Sequence, residues 1–410
     1  MRTTMRIFLV VVGALPGLAW SQGSTLAGSA DDPGKPIAQA SCVRCHAAER
    51  LIAPGYTRAG WQDEIGRMIR IGATVDAAQI PVLATYLARN YPPQTQPAAV
   101  LVAGDTKVSF KEWAVKSSGA FPHDPFAAAD GSVWYTGQHG SLLGRIDPKT
   151  GSIEEFRTGI PDSGPHGLTA DAAGNIWFTA NYAGYVGKLD PKTGSITAFR
   201  MPDKAAHDPH TPVFDQHGTL WFTVQGGNMV GRLDPRTSEV KLVSVPTEHA
   251  LPYGIVISSK GVPFFAEFGA NRIGSIDPNT LAIHEYVLPE QGARPRRIAI
   301  THDDVIWYSD YARGYLGRLD PKTGASREWP SPAGAQSHPY GITALDGVIW
   351  YSESGVSPNT LVRFDPRSEK FQTWAIPSGG GVVRNMMPTA DGRLVLAESG
   401  VGKVAMVEVR

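Results

Sequence analysis

Cysteine is scarce in this sequence, with two residues in a chain of 410, and neither sign of charge predominates. Two cysteines cannot build the disulfide framework of a small secreted scaffold. The 38 basic residues are matched by 38 acidic ones, so no basic surface for nucleic acid is indicated. No apolar run after residue 20 is long enough to cross a bilayer. These absences predict a globular protein with no nucleic-acid partner and no stable membrane insertion.

The N-terminal segment has the features of a secretory signal peptide. Arg2 and Arg6 precede an apolar run that ends in Ala19-Trp20-Ser21, a small-x-small pattern. The run is shorter than the roughly 20 apolar residues that a membrane helix needs. The pattern predicts a signal peptide over residues 1–21 and a periplasmic protein, with an uncleaved anchor as the alternative.

Both cysteines lie in one short motif, Cys42-Val-Arg-Cys45-His46. C-x-x-C-H is the attachment signature of c-type haem: two thiols one helical turn apart can form thioethers to one porphyrin edge, and the histidine binds the iron. A thioredoxin-like redox pair is the alternative. The motif predicts one covalent haem c, electron transfer and a periplasmic redox partner.

A second iron ligand is predicted from the residues that follow the motif. Residues 59–73 have the spacing of a helix, with Trp61, Ile65, Met68 and Ile69 on one face. Met68 is the only methionine between the signal peptide and residue 100, so it is the predicted sixth ligand. An open site, or a ligand from the other domain, remains an alternative.

The predicted helices together resemble a known kind of haem domain. Residues 75–91 form another predicted helix, whose start pairs Asp76 with Gln79 as in a capping box. A helix with C-x-x-C-H, a ligand helix and a terminal helix resemble small class I-type cytochrome c domains. The expectation is a small all-α mono-haem domain over residues 22–92, followed by a linker rich in Pro, Gln and Ala at 93–105.

From residue 106 to 410 the chain repeats a motif of two aromatic residues and a small one, followed by an Asp-Pro turn. The leading aromatics recur every 43 or 44 residues at Trp134, Trp177, Trp221, Phe264, Trp307 and Trp350. A period in the low forties built of short strands indicates propeller blades. Seven blades are predicted, and the orphan strand 107–115 is expected to complete the seventh.

The repeat also carries a family resemblance. The segments "GPHGLTADAAGNIWFTA" and "GKLDPKTGSITAF" of the second blade resemble the virginiamycin B lyase (streptogramin lyase) family of seven-bladed propellers. The resemblance covers roughly residues 106–410. It implies an all-β propeller, and it is more specific for fold than for activity, because propellers share repeats more readily than chemistry.

Two repeat positions are predicted to line the central channel, and in each blade they are expected to approach each other. The first, here called the ring position, is occupied in blades one to seven by His123, His166, His210, Tyr253, Arg296, Tyr340 and Arg384. The second follows the aromatic motif and is occupied by Gly137, Ala180, Val224, Glu267, Asp310, Glu353 and Glu398. Arg296/Asp310 and Arg384/Glu398 are predicted to form ion pairs.

Three consecutive blades present a histidine at the ring position without an acidic partner. A neutral imidazole can act as a general base or bind a metal, whereas a lone histidine is more often a satisfied structural residue. Because His123, His166 and His210 occupy equivalent positions, a catalytic role is predicted for them. The family resemblance implies such a role for the neighbouring Tyr253 as well.

The resemblance implies a particular chemistry for this sector. In the lyase family two histidines and a tyrosine at the ring positions of successive blades, with acidic residues that hold magnesium, open a cyclic depsipeptide ester by elimination. His166, His210 and Tyr253 follow that order here.

The acidic residues match less well. Asp208 could supply one Mg²⁺ ligand, but Val224 stands where the resemblance implies an acid, and Glu267 is a candidate substitute.

Three functions are therefore open: a periplasmic redox protein, a metal-dependent lyase fused to a cytochrome, and a propeller that docks a redox partner. Haem-based electron transfer is the favoured function, with a small-molecule site of lyase type on the propeller.

Overall fold

The computed structural model describes residues 26–42, 55–70 and 73–410. The predicted signal peptide, Cys45 and His46 lie outside the described residues. In these described parts of the chain, three helices precede the repeat region: α1 (Gly34–Ser41), α2 (Arg58–Arg70) and α3 (Ile80–Asn90). Among the described residues, no helix is long and apolar enough to cross a membrane.

The three helices share one apolar core. Trp61 and Ile65 of α2 pack with Leu83, Tyr86 and Leu87 of α3. The crossing of α1 and α3 depends on a glycine, because a Cβ on Gly34 would lie 2.2 Å from the Cβ of Tyr86. The indole nitrogen of Trp61 donates a hydrogen bond to the carbonyl oxygen of Tyr91 at 3.0 Å, which fixes α2 to the end of α3.

The helix predicted over residues 75–91 begins later than expected, at Ile80. Pro81 lacks an amide hydrogen and is tolerated only in the first turn of a helix, so the helix cannot start much before it. The preceding residues form a turn in which the Asp76 amide donates to Gln79 Oε1 at 3.1 Å. The capping contact is therefore present, but it closes a turn ahead of the helix.

The remaining chain forms seven four-stranded antiparallel sheets. Blade one comprises β2 (Pro122–Ala127), β3 (Val133–Gly137), β4 (Leu142–Ile146) and β5 (Ile153–Arg157). Blade two comprises β6 (Pro165–Ala170), β7 (Ile176–Ala180), β8 (Tyr185–Leu189) and β9 (Ile196–Arg200). Blade three comprises β10 (Pro209–Phe214), β11 (Leu220–Val224), β12 (Met229–Asp234) and β13 (Glu239–Ser244).

Blades four to six have the same order. Blade four comprises β14 (Pro252–Ile257), β15 (Pro263–Glu267), β16 (Arg272–Ile276) and β17 (Ile283–Val287). Blade five comprises β18 (Pro295–Ile300), β19 (Ile306–Asp310), β20 (Tyr315–Leu319) and β21 (Ser326–Pro330). Blade six comprises β22 (Pro339–Leu345), β23 (Val348–Glu353), β24 (Thr360–Asp365) and β25 (Lys370–Ala375), preceded by the short 3₁₀ turn Gly334–Gln336.

Blade seven closes the ring with strands from both ends of the repeat region. It contains β26 (Val383–Pro388), β27 (Leu394–Glu398), the 3₁₀ turn Ser399–Val401, β28 (Lys403–Val409) and, as its outer strand, β1 (Val108–Ala114). The ladder between β1 and β28 runs from Val108–Val409 to Ala114–Lys403. The predicted closure is confirmed, and it removes the free sheet edge that an incomplete blade would leave.

The repeated aromatics pack between blades. Phe178 joins the cluster that contains Trp134 of blade one, whereas Trp177 joins the cluster with Phe222 of blade three. Successive strand residues point to opposite faces, so one aromatic pair serves both neighbours of a blade. The predicted packing role is confirmed.

The segment 93–105 lies against blade six. The Ser357 amide donates to the carbonyl oxygen of Pro97 at 2.9 Å. Thr373, on the outer strand, accepts from the Val102 amide and donates to the Val100 carbonyl oxygen, both at 2.7 Å. The backbone groups of the predicted linker are therefore held along the edge of the propeller by hydrogen bonds to backbone and side-chain groups of blade six.

A bulge in the inner strand of each blade positions the ring residue. In blade two, Pro165 pairs with Ala180 and Leu168 with Phe178, so two residues, His166 and Gly167, stand opposite one. The hydroxyl of that one residue, Thr179, accepts from the Gly167 amide at 3.0 Å and donates to the carbonyl oxygen of His210 at 2.5 Å. The small residue of the aromatic motif thus links its blade to the next.

The same link recurs around the ring. Equivalent hydroxyl-to-carbonyl hydrogen bonds join Thr136 to His166, Thr223 to Tyr253, Ser309 to Tyr340 and Ser352 to Val383.

Candidate functional site

Four ring-position side chains contact one another at the propeller axis. The ring centroids of His123 and His166 are 3.7 Å apart, those of His166 and His210 are 3.7 Å apart, and those of His210 and Tyr253 are 3.9 Å apart. All four are only 2–3% exposed. The residues predicted as catalytic are therefore brought together, and they are called the axial stack below.

The three imidazoles of the stack differ in their hydrogen bonds. His123 Nδ1 lies 2.9 Å from Asp124 Oδ1, and a carboxylate only accepts, so this nitrogen carries the proton. His210 Nδ1 lies 2.9 Å from the Thr211 hydroxyl. Among the described residues, no side chain or backbone group hydrogen-bonds to His166 Nδ1, although it is buried. His166 therefore has a ring nitrogen available for chemistry.

The surroundings of the stack keep its imidazoles neutral. Burial is the largest cause that lowers the pKa of each of the three histidines well below 6.5. Neighbouring histidines and the positive charges of Arg297 and Arg384 lower the pKa values of His123 and His166 further, because a cation disfavours a second one nearby. At neutral pH the three imidazoles of the stack are therefore uncharged and can accept a proton.

A buried ion pair spans the axis beside the stack. The Arg297 guanidinium of blade five donates to Asp124 Oδ1 of blade one at 2.6 Å, and both side chains are 3% exposed. Asn385 of blade seven donates to Asp124 Oδ2 at 2.9 Å. Three blades thus meet at one carboxylate.

Asp124, Arg297 and Asn385 belong to a second layer of side chains at the axis. This layer was not predicted from the sequence, because strand alternation would place it away from the axis. The bulge brings the residue after each ring position inward as well. These positions are Asp124, Gly167, Thr211, Gly254, Arg297, Gly341 and Asn385. Glycines alternate with polar residues around the ring, a pattern that the sequence already contains.

The predicted ion pairs Arg296/Asp310 and Arg384/Glu398 are wrong. Asp310 pairs with Arg313 at 2.7 Å, and Glu398 accepts from the Ser378 hydroxyl at 2.5 Å. The register explains the error: Asp310 stands opposite Pro295, one residue before the ring position, and Glu398 stands opposite Val383. The two positions of one blade therefore do not face each other.

Instead of pairing with an acid, Arg296 lies among aromatic rings. Its guanidinium carbon is 3.7 Å from the ring centroid of Tyr340 and 4.3 Å from that of Tyr311. The hydroxyls of Tyr340 and Tyr253 are hydrogen-bonded at 2.5 Å. Burial raises the pKa of Tyr340, but the charges of Arg296, Arg384 and Arg297 outweigh it and lower that pKa to about 8.

Among the described residues, the acids implied for magnesium do not converge into a group of three ligating side chains. Asn181 donates a hydrogen bond to Asp208, and Val224 packs in an apolar cluster with Ala206 and Phe222. Glu267 is fully buried, and its pKa is raised to about 8 by burial and then by the negative charge of Glu285.

Within the part of the chain that the structure describes, one group of three metal-ligating side chains converges: His123, Asp124 and His166, with ligand atoms within 4.8 Å of one another. Arg297 and Asn385 already hydrogen-bond to the carboxylate of this group. Because a guanidinium beside the carboxylate repels a cation, these surroundings do not fit magnesium.

Two of the residues predicted to bind haem are described. Cys42 is the C-cap of α1 and packs against the helical core. Met68 lies on α2 and is partly buried. Cys45 and His46 lie outside the described residues, so their predicted roles stay predictions.

The helix α2 also approaches the propeller. The guanidinium carbon of Arg70 is 5.0 Å from the ring centroid of Tyr182, which follows β7 of blade two. The charges of Arg67 and Arg70 act on His139 of blade one. The helical segment therefore contacts the end of the propeller where Arg384 lies.

The profile of the virginiamycin B lyase family matches residues 98–325, more than half of the sequence. The chain belongs to this family. No sequence among the curated proteins matches it.

Solved structures of the same fold agree with this assignment. A streptogramin B lyase is 26% identical, with a TM-score of 0.68, over 74% of this chain and 98% of its own. The virginiamycin B lyase of Staphylococcus aureus is 22% identical, with a TM-score of 0.66, over 73% and 99% of the two chains. A catalytically inactive histidine-to-alanine variant of the S. aureus enzyme, solved with quinupristin, is 22% identical with a TM-score of 0.67 over the same shares.

Proposed function

We propose that the propeller axis opens an ester by elimination and that it does so without a metal ion. The observation that supports this most is the stack of three neutral imidazoles beside the buried Arg297 guanidinium. A neutral imidazole can remove a proton next to a carbonyl group, and a cation stabilises the negative charge that then develops. The family relationship supports elimination as the reaction type. The residues of this chain are the basis for proposing that the reaction needs no metal ion.

His166 is the proposed general base, because its Nδ1 has no hydrogen-bond partner among the described residues. It removes the proton from the carbon next to a carbonyl. The electron pair of that C–H bond forms a carbon–carbon double bond, and the C–O bond of the ester breaks. The oxygen keeps its electron pair, so a carboxylate leaves and no water is added.

His123 and His210 flank the base and hold its ring in place. Asp124 fixes the proton on His123 Nδ1, and Thr211 binds His210 Nδ1. In the role that the family assigns to magnesium, Arg297 supplies the positive charge. Because the stack is only 2–3% exposed, the side chains above it must move before a substrate reaches His166.

Mass spectrometry of a cyclic depsipeptide tests the reaction. Quinupristin, the molecule in the solved complex of the S. aureus relative, is incubated with the protein in EDTA. We expect a linear product of unchanged mass, which H166Q abolishes and R200Q, on an exposed outer strand, leaves intact. A product heavier by one water, or a reaction that needs added Mg²⁺, would contradict the proposal.

We also propose that the exported protein carries one haem c, attached to Cys42 and Cys45 and ligated by His46 and Met68. The C-x-x-C-H motif is the main support, and the positions of Cys42 at the end of α1 and of Met68 on α2 are compatible with it. Haem bound in this way would supply reversible one-electron transfer to a periplasmic partner.

A visible spectrum of the protein purified from the periplasm tests the haem. We expect the absorption of a covalently bound, low-spin haem that survives acidic acetone extraction. M68A should convert the spectrum to that of a five-coordinate or high-spin iron. A colourless protein would contradict the assignment.

A further inference from the structure

We propose that Arg296 and Arg384 form a binding site for a carboxylate, the group that leaves in the elimination proposed above. The proposal rests on that function for the identity of the ligand. Its physical basis is independent: two guanidinium groups of partly buried side chains lie among aromatic rings, with buried Nε atoms and without an acidic partner.

Neither arginine has the partner that a buried charge normally requires. Among the described residues, no carboxylate lies within ion-pair distance of either guanidinium, and no group accepts a hydrogen bond from either Nε, although both nitrogens are buried. A buried charge without an ion-pair partner is costly. An arrangement that keeps two such groups therefore points to a ligand that supplies the negative charge.

The acids of the same blades do not stand opposite the two arginines. Asp310 is bound by Arg313 and by the Arg294 amide, and Glu398 is bound by the Ser378 hydroxyl. Asp124, at the axis, is bound by Arg297 and Asn385. A bound ligand could therefore supply the negative charge that the described acids of these blades do not bring to the two arginines.

The aromatic neighbours orient the two guanidinium groups. The Arg296 carbon lies 3.7 Å from the ring centroid of Tyr340, and the Arg384 carbon lies 4.9 Å from that of Phe121. Tyr340 contacts both, since its centroid is 5.9 Å from the Arg384 carbon. A guanidinium whose face is covered by a ring still offers N–H groups at its edge, in the fork geometry that matches a carboxylate.

Helix α2 adds positive charge on the same side. The pKa of His139 is lowered to about 4, first by burial and then by the charges of Arg67, Arg384 and Arg70. Three arginines, Arg67, Arg70 and Arg384, therefore act on one region between the helical segment and the propeller.

A carboxylate is the ligand that the proposed reaction brings to this region. Tyr253, the last ring of the axial stack, lies 5.1 Å from the Arg296 carbon, so the base and the arginine site adjoin. When the C–O bond of the ester breaks, the departing oxygen belongs to a new carboxylate. A guanidinium pair beside that oxygen stabilises the charge as it forms.

Calorimetric titration with benzoate tests the site. Benzoate combines a carboxylate with a ring that can pack among Phe121 and Tyr340, and benzamide is the uncharged control ligand. We expect benzoate to bind and benzamide not to bind. Each of R296Q and R384Q should weaken benzoate binding about tenfold or more, the effect of removing one charged hydrogen-bond partner. The matched variant R200Q, on the exposed strand β9, should bind benzoate like the wild type.

The variants also distinguish a ligand site from a structural role. Because each substitution removes a partly buried charge without an ion-pair partner, R296Q and R384Q should melt at the wild-type temperature or above it without ligand. Benzoate should raise the melting temperatures of the wild type and R200Q, and should raise those of R296Q and R384Q much less. Unchanged benzoate affinity in R296Q and R384Q, or a wild type that does not bind benzoate, would overturn the proposal.

Failure of this site and failure of the elimination give different results. If benzoate binds as expected but quinupristin stays intact, the elimination is wrong and the carboxylate site stands. If R296Q and R384Q open quinupristin with the wild-type kcat/KM, the carboxylate site is wrong and the elimination stands.

Discussion

The carboxylate of Asp124 and the guanidinium of Arg297 meet at the propeller axis, 2.6 Å apart, and join blade one to blade five. They lie 173 positions apart in the chain. Both side chains are 3% exposed, so each would be an uncompensated buried charge without the other. This pair therefore joins two blades across the centre of the ring, and its guanidinium places a positive charge beside the axial stack.

Breaking the axial ion pair should strongly destabilise the propeller. We expect D124N or R297M to lower the free energy of unfolding by about 3–5 kcal/mol, measured by urea denaturation, because each leaves a buried charge. The exposed pair of Arg145 with Asp130 is the control, and R145M should cost about 1 kcal/mol or less. If R297M lowers the free energy of unfolding no more than R145M does, the axial charges are solvated and this account is wrong.

Glu267 should make the stability depend on pH. Burial and then Glu285 raise its pKa to about 8, whereas an unfolded glutamate titrates near about 4.3. The folded state retains a proton that the unfolded state loses, so the stability from the protonated form is complete below about pH 4.3 and is lost as the pH rises through about 8. E267Q keeps the shape and removes the titration, so relative to wild type it should gain on the order of a few kcal/mol between about pH 5 and pH 9.

The matched control for Glu267 is Glu353, at the same position of blade six. Its carboxylate accepts from Ser331, Thr360 and the Ala333 amide, so E353Q places an amide group against donors and should destabilise the protein at every pH. Parallel pH profiles of wild type and E267Q in urea denaturation would contradict the account of Glu267.

Gly34 should be essential to the helical segment. An added Cβ would meet Tyr86 Cβ at 2.2 Å, so G34A forces α1 away from α3 and should lower the stability of this segment by about 1–3 kcal/mol. G66A on α2 is the control, because nothing lies closer than 3.9 Å to its added Cβ. Alanine favours helix, so G66A should be neutral or stabilising by about 0.5–1 kcal/mol. Hydrogen exchange of the α1 and α3 amides measures the stability of the segment in both variants. Equal protection of these amides in G34A and G66A would contradict the close contact of α1 with α3 at Gly34.

Each hydroxyl-to-carbonyl hydrogen bond between blades should make a measurable contribution to the free energy of unfolding. T179V keeps the side-chain shape but leaves the His210 carbonyl oxygen and the Gly167 amide without a partner, at a cost of about 1–3 kcal/mol. T197V, on the exposed outer strand of the same blade, should change the free energy of unfolding by about 0.5 kcal/mol or less. Thermal denaturation compares the two, and equal melting temperatures would contradict the link.

The fold could be predicted because the sequence repeat defines each blade of the propeller. Regular spacing of Trp134, Trp177 and their equivalents predicted seven blades, and the unmatched strand 107–115 predicted how they close. The ring position was predictable for the same reason, and the axial stack is composed of residues at that position. Residues at the same position of each repeat occupy equivalent places in the fold. The residues equivalent to His166 could therefore be identified from the sequence.

The second layer of the site could not be predicted because it depends on a bulge. Strand alternation places consecutive residues on opposite faces, whereas the bulge brings His123 and Asp124 to the axis together. The same one-residue shift sets Asp310 opposite Pro295, which is why the ion pair predicted with Arg296 is absent. Long-range pairs such as Asp124 with Arg297 depend on ring closure, which no local pattern encodes.

The protonation state of the axial histidines, with and without Mg²⁺, tests the central claim most directly. In a protein with ¹⁵N-labelled histidine, H123Q, H166Q and H210Q assign the imidazole resonances. We predict that all three imidazoles remain neutral at about pH 5.5, below the ordinary histidine pKa of about 6.5, and that Mg²⁺ does not move their resonances. Imidazolium shifts at that pH, or shifts induced by Mg²⁺ at His166 and His210, would contradict a metal-independent base at the propeller axis.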